Sequence, residues 1–276
     1  MRTSGLVERI ARRLRRPGRP VPPSPYVPPR VELVYWRSSK GVNFGDYLSS
    51  AVVTRMLARR ELLPDEAVPR AARLLAIGSI LHFARSGDVV WGSGVNGKID
   101  ARAHAFDALD VRAVRGPLTQ RFLAARGVAC PSVFGDPGLL VPHLFPGRFG
   151  GVERRRPVAF VPNLHDIEAM AGWENVVSPL AHWAAVIRDI AAAEHVVSSS
   201  LHGLVIADAF GIPSTYLRLS ETEAMFKYED YAFGVGRGTL HVARTKGEAV
   251  RETPMEPPRF DPSALCAAFP YDLWGR

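Results

Sequence analysis

Val196-Val197-Ser198-Ser199-Ser200-Leu201-His202-Gly203-Leu204-Val205-Ile206-Ala207-Asp208 passes from a short apolar run through three hydroxyl residues, a histidine and a glycine into a second apolar run of helical length. A hydrophobic stretch that ends in small polar residues and restarts as a helix is the pattern of a βα unit. In open parallel sheets ligands bind outside the carboxyl ends of the strands, so residues 198–203 are expected to face a crevice. A histidine there has the pKa range for proton transfer near neutrality, and when protonated it also holds an anion.

The same grammar extends in both directions. Downstream, 214–217 reads as a strand; upstream, 158–161 and 195–197 read as strands around a helix over 180–194, and the helix after His202 is expected over 203–210. In the first half, strands are expected at 31–36, 74–77, 89–91 and 110–114, with helices over 46–60 and 117–126, where Pro117 suits a first helical turn. Short apolar runs alternating with helix-length segments predict parallel sheets. Residues 146–157, rich in glycine and carrying four arginines, separate the two series. The expected fold is therefore α/β: two Rossmann-like lobes, 31–150 and 151–276, each with a parallel sheet, facing one another across a cleft.

Composition removes other classes. A chain of 276 residues, 47% hydrophobic and 22% charged, has enough apolar material for two packed lobes and is neither collagenous, coiled-coil nor wholly disordered. Its longest apolar stretches fall well short of the ~18–20 residues that cross a bilayer. Two distant cysteines, Cys130 and Cys266, suggest neither a disulfide framework nor a zinc site, and a reducing cytoplasm fits them. No secretion signal is read at the N-terminus. The net charge of +8 is unevenly placed: residues 1–30 hold eight arginines against the single acid Glu8, so seven of the eight charges belong to this proline-dense segment. The body is nearly neutral, which argues against nucleic acid as a partner. Residues 1–30 read as a disordered tail or tether, either a solvated arm or a segment that adsorbs weakly to anionic lipid.

Candidate site residues collect at the strand ends. Asn43, Gly45 and Asp46 follow the first strand, where glycine admits an anion to backbone amides and a helix N-terminus adds positive potential. Asp46 is equally suited to cap an ordinary helix. Gly78 and Ser79 end the second strand, and the glycine-rich turn 92–97 ends the third and leads to Lys98; each turn reads either as a ligand turn or as an ordinary tight βα turn, and Lys98 either as a phosphate partner or as a surface lysine. Arg115 closes the fourth strand immediately before a helix start, a position suited to a bidentate grip on phosphate or carboxylate. His195 begins a strand and reads as structural. The eight histidines show no metal-binding spacing, so no catalytic metal is expected.

Taken together, Asn43-Phe44-Gly45-Asp46, Gly78-Ser79, Arg115-Gly116-Pro117-Leu118-Thr119, Gly135-Asp136-Pro137, Ser199-Ser200-Leu201-His202-Gly203, Gly211-Ile212-Pro213 and Lys227-Tyr228-Glu229-Asp230-Tyr231 resemble the polysaccharide pyruvyl transferase family over about three quarters of the chain. The opening Tyr35-Trp36-Arg37 with Asn43-Phe44-Gly45-Asp46 is most similar to the branch that adds pyruvate to succinoglycan-type exopolysaccharides. The resemblance implies a GT-B-like arrangement, phosphoenolpyruvate as donor and co-substrate with no resident cofactor, and a sugar, often on a lipid-linked oligosaccharide, as acceptor. It also implies a cytoplasmic enzyme, with peripheral contact at the inner face of the membrane through residues 1–30. The family's S-x-R-L-H-G element is matched at His202 but has Ser200 where the family has arginine.

On this basis His202 is assigned to the donor phosphate or to proton delivery, Arg115 to the donor carboxylate or phosphate, and Asp46 to the acceptor hydroxyl as base. Asn43, Gly45, Gly78, Ser79, Lys98, Asp136, Ser199, Ser200, Gly203 and Lys227 are the expected substrate-binding residues. Two alternatives stand beside this expectation: a nucleotide-sugar glycosyltransferase with the same cleft, and a non-catalytic sugar-binding or scaffolding subunit of a polysaccharide assembly complex.

Overall fold

The computed structural model describes residues 28–36 and 43–275. Apart from residues 28–30, the expected basic tail lies outside the described residues, as do Lys40, Gly41 and Val42 of the first turn.

Two four-stranded, wholly parallel sheets carry the fold, each with its strands in sequential order. The first holds β1 (Val31–Val34), β2 (Ala72–Leu75), β3 (Val89–Trp91) and β4 (Asp110–Ala113). The second holds β5 (Arg156–Val161), β6 (Ala193–Ser198), β7 (Ser214–Leu217) and β8 (Val242–Ala243). Every residue of β3 and β7 is buried, as expected of parallel strands covered on both faces. The helices are α1 (Phe44–Ala58), α2 (Pro117–Ala124), α3 (Val141–Leu144), α4 (Pro146–Phe149), α5 (Trp183–Ala191), α6 (Leu201–Ala209), α7 (Phe226–Gly234), α8 (Lys246–Arg251) and α9 (Ser263–Ala267).

The α/β reading with two lobes is borne out, with element ends that shift for local reasons. Helix α1 starts at Phe44, two residues earlier than expected, because Asn43 is the N-cap and accepts a hydrogen bond from Gly45 N at 3.0 Å. Helix α5 begins at Trp183, three residues later than expected: His182 caps it, and Leu180 stays exposed outside the apolar stripe Trp183, Val186, Ile187, Ile190. Helix α6 begins at Leu201, so His202 lies in its first turn.

One large apolar core joins the lobes. Leu48, Val52 and Met56 of α1 lie in the same buried cluster as Val186 and Ile190 of α5 and Ile206 of α6. Phe44 N also donates to Pro179 O of the second lobe at 2.9 Å. The C-terminal segment then crosses back to the first lobe. Trp91 Nε1 donates to Leu265 O at 2.8 Å, Tyr271 Oη donates to Met56 O at 2.9 Å, and Arg112 pairs with Asp272 at 2.8 Å. The two sheets therefore share a core and a covalent strap, and the carboxyl ends of their strands open on one cavity.

Candidate active site

That cavity, about 290 Å³, is lined by the segments that follow six strands. Trp36, Asn43 and Asp46 follow β1; Ser79, Ile80 and His82 follow β2; Asn96, Lys98 and Ile99 follow β3. From the second lobe, Asn163, Leu164 and His165 follow β5, Ser200, Leu201 and His202 follow β6, and Glu223 and Lys227 follow β7. Trp36 and Ile99 are exposed and supply apolar surface at the rim, and the buried lining mixes apolar Ile80 and Leu201 with polar Asp46, Ser200 and Glu223.

Asp46 stands in the first turn of α1 with its side chain nearly buried. Since Asn43 takes the capping role, the Asp46 carboxyl is free of it. Burial pushes this carboxyl up to about 7, partly opposed by the positive charge of Lys227. A group with that pKa is populated in both protonation states near neutrality, which suits proton transfer.

His202 behaves in the opposite way. Burial, reinforced by the charges of Lys227 and Arg115, pulls its imidazole down to about 3, so the ring is neutral at physiological pH. Its Nε2 is buried and has no hydrogen-bond partner among the described residues. Gly45 makes room for the ring: a Cβ at that position would lie 2.1 Å from His202 Nδ1. The site thus holds a neutral hydrogen-bonding imidazole in place of a cationic histidine that would by itself hold an anion.

Among the described residues, positive charge in the cavity comes instead from Lys98 and Lys227, one from each lobe, and both reach Glu223. Lys98 Nζ lies 2.7 Å from Oε1, and Lys227 pairs with Oε2. Gly97 allows this approach, since a Cβ there would lie 2.6 Å from Phe226 Cβ at the start of α7, and its backbone has a φ of +83°. Burial alone would raise the pKa of Glu223, but Lys227 and Lys98 bring it below the ordinary carboxylate range.

Seven of the expected residues therefore line the cavity: Asn43, Asp46, Ser79, Lys98, Ser200, His202 and Lys227. Gly45 and Gly78 stand behind His202 and Asp46. Arg115 is placed differently from the expectation that it projects over the crevice. Its side chain is fully buried, with Nε donating to Asp230 Oδ2 at 3.0 Å, Nη1 to Ser79 Oγ at 2.6 Å and Nη2 to Val95 O at 2.7 Å. It touches the cavity only through Ser79.

Asp136 is also fully buried, caps the turn Pro137–Leu140 by accepting from Gly138 N at 2.8 Å, and is pushed up to about 6 by burial. Ser199 accepts from Asn163 N at 3.0 Å and so positions a lining residue. Gly203 packs against Ser198. His195, read as structural, meets Thr215 Oγ1 at 3.0 Å within the sheet.

Sequence reasoning missed His82, Asn163, His165 and Glu223. The turn after β5 carried a usable signal, because Asn163 and His165 follow an apolar strand as His202 does. Glu223 carried none, since residues 219–224 belong to no helix or strand. Among the described residues, no group of three or more histidine, cysteine, aspartate or glutamate side chains could hold a metal ion, and no helix is long and apolar enough to cross a membrane.

Comparison with known proteins adds a lineage to this geometry. A family profile described as polysaccharide pyruvyl transferase matches residues 30–221. The succinoglycan biosynthesis protein ExoV of Rhizobium meliloti (strain 1021) is 33% identical over 217 residues, which cover 73% of this chain and 64% of that protein. The chain thus spans a little under two thirds of that relative's length. An uncharacterized protein, L143, of Acanthamoeba polyphaga mimivirus is 26% identical over 225 residues, 75% of this chain and 77% of the relative. A crystal structure of an uncharacterized protein from Klebsiella pneumoniae subsp. pneumoniae NTUH-K2044 aligns with a TM-score of 0.48 and 13% identity over 79% of this chain and 93% of that one.

Proposed function

Because the chain belongs to the polysaccharide pyruvyl transferase family, we propose that it transfers pyruvate from phosphoenolpyruvate to a sugar of a bacterial exopolysaccharide repeat unit, forming a pyruvate ketal. The likeness to a succinoglycan biosynthesis protein supports the polymer class. The observation that carries the chemistry is the pairing, in one cavity, of two lysines for an anionic donor with a carboxyl whose pKa is about 7.

Ketal formation needs a proton at C3 of the enol, two sugar oxygens at C2, and departure of phosphate. Asp46, in its protonated form, gives its proton to C3. The carboxylate so formed takes the proton of the first sugar hydroxyl as that oxygen bonds to C2, which extends the role of base assigned from sequence. The C2–O bond to phosphate then breaks, the second hydroxyl adds at C2, and its proton leaves with the phosphate. Lys98 and Lys227 hold the donor's anionic groups, and the neutral imidazole of His202, which lines the same cavity, hydrogen-bonds to the donor. Ser79 stays oriented by Arg115, while the exposed faces of Trp36 and Ile99 receive the acceptor sugar.

In this reading no resident cofactor takes part, the reaction proceeds in the cytoplasm, and residues 1–30 bring the protein to the anionic inner face of the membrane, where lipid-linked acceptor is found. The test is incubation of the purified chain with phosphoenolpyruvate and an unpyruvylated exopolysaccharide oligosaccharide. Stoichiometric release of inorganic phosphate and a new ketal methyl resonance are expected. Release of UDP or GDP from a nucleotide-sugar in the same assay would instead identify a glycosyltransferase. Sugar binding without turnover of either donor would identify a binding subunit.

A further inference from the structure

Glu223 is held from both lobes at the wall of the cavity. Its carboxylate receives Lys98 from the first lobe at 2.7 Å and Lys227 from the second, and His165 Nε2 stands 3.8 Å away. All four groups line the same cavity, and Glu223 itself is only 5% exposed. One carboxylate set against two ammonium groups leaves a positive charge over. Lys98 and Lys227 are the only lysine or arginine side chains among the described residues that line this cavity. An anion that enters the cavity and pairs with either lysine therefore competes with Glu223 for it. Glu223 also lies outside regular secondary structure, four residues before Lys227, so its side chain is not fixed by a helix ladder.

We propose that Glu223 is an internal stand-in for the donor: its carboxylate occupies the anion seat made by Lys98 and Lys227, and an incoming phosphate or carboxylate takes its place. This rests on the reading of the cavity as the donor site. The exchange gives the segment 219–224 two arrangements, one paired to the lysines and one released by the donor, and ties donor entry to a contact that spans the lobes. A residue serving only to tie the lobes together would weaken anion binding when neutralised, because the lysines would lose their alignment. A stand-in does the reverse, since its removal frees both cations.

The experiment is calorimetric titration of the full chain with inorganic phosphate, comparing wild type, Glu223→Gln, Glu223→Ala and Glu223→Gln with Lys98→Met. Both single variants are expected to bind phosphate about tenfold more tightly than wild type, and the added Lys98→Met should abolish the gain. Unchanged or weaker binding by both single variants overturns the proposal, and so does absence of phosphate binding in every form. A gain in phosphate affinity without pyruvyl transfer would leave the stand-in in place and remove phosphoenolpyruvate as donor. Pyruvyl transfer without the gain would do the opposite.

Discussion

Arg115 and Asp230 form an ion pair at 2.9 Å in which neither side chain has any exposure, and it joins the end of the first sheet to helix α7 of the second lobe. Asp230 also accepts from Thr119 N at 2.9 Å and Thr119 Oγ1 at 2.7 Å, so the carboxylate is enclosed by donors from the first lobe. The positive charge that a strand-end arginine was expected to offer a ligand is consumed in holding the lobes together, and its influence on the cavity passes through Ser79 and the lowered pKa of His202.

Arg115→Ala is therefore expected to act first on stability. Removing one partner of a buried pair leaves an uncompensated charge and costs on the order of 3–5 kcal/mol. Asp230→Ala added to Arg115→Ala should recover part of that loss, since the orphaned carboxylate goes with it. Urea denaturation of the single and double variants measures the coupling; additive losses would show that the two residues do not act as a pair.

Asp46 predicts a pH profile. With its carboxyl at about 7 and active in the protonated form, kcat/KM for the donor should fall as pH rises through about 7. No inflection from His202 is expected between pH 5 and 9, because its pKa is near 3. Asp46→Asn should abolish turnover. A wild-type rate that climbs through pH 7 would make the carboxylate the form that starts the reaction.

The same shift has a stability consequence of fixed sign. The folded pKa of about 7 lies above the ordinary 3.8, so the unfolded chain gives up this proton more readily, and stability declines as pH rises from about 4 to 7. Asp46→Asn removes that penalty. It should stabilise the protein at pH 8 by a few kcal/mol, about 4 at most, and by much less at pH 4. Equal gains at both pH values, read from thermal or urea unfolding, would assign the effect to something other than burial of the charge.

Gly45→Ala should damage the site more than the fold. The new methyl would lie 2.1 Å from His202 Nδ1, so the ring must move, at an overpacking cost of about 1–3 kcal/mol. Displacement of a positioned group by about 1 Å costs roughly a hundredfold in rate. Adding His202→Ala should restore stability but not activity. Unchanged kinetics for Gly45→Ala would remove His202 from the reaction.

Deletion of residues 1–28 should leave activity on a soluble acceptor unchanged and reduce co-sedimentation with anionic vesicles. The difference should be largest at low salt, where attraction by the six net charges of residues 1–28 is least screened. Equal vesicle binding by the two forms would leave this segment as a linker only.

How much of this was legible beforehand depends on range along the chain. The parallel strands, the placement of Asn43, Asp46, Ser79 and His202 at strand ends, and the helices that follow were readable because apolar periodicity and turn chemistry act within a few residues. Even so, local signals left Asp46 either a cap or a site residue, and it took the Asn43–Gly45 hydrogen bond to free it. The fate of each charge was not local at all. Arg115 finds its carboxylate 115 positions away and Lys98 finds Glu223 at 125, so whether an arginine grips a ligand or a lysine pairs with the protein depends on which groups the packed lobes bring within a few ångströms. By itself the sequence determined two βα lobes and the strand-end turns from which a site is built. Only the tertiary structure decided which of those groups are buried in pairs and which face the cavity, because burial and pairing arise where distant segments exclude water together.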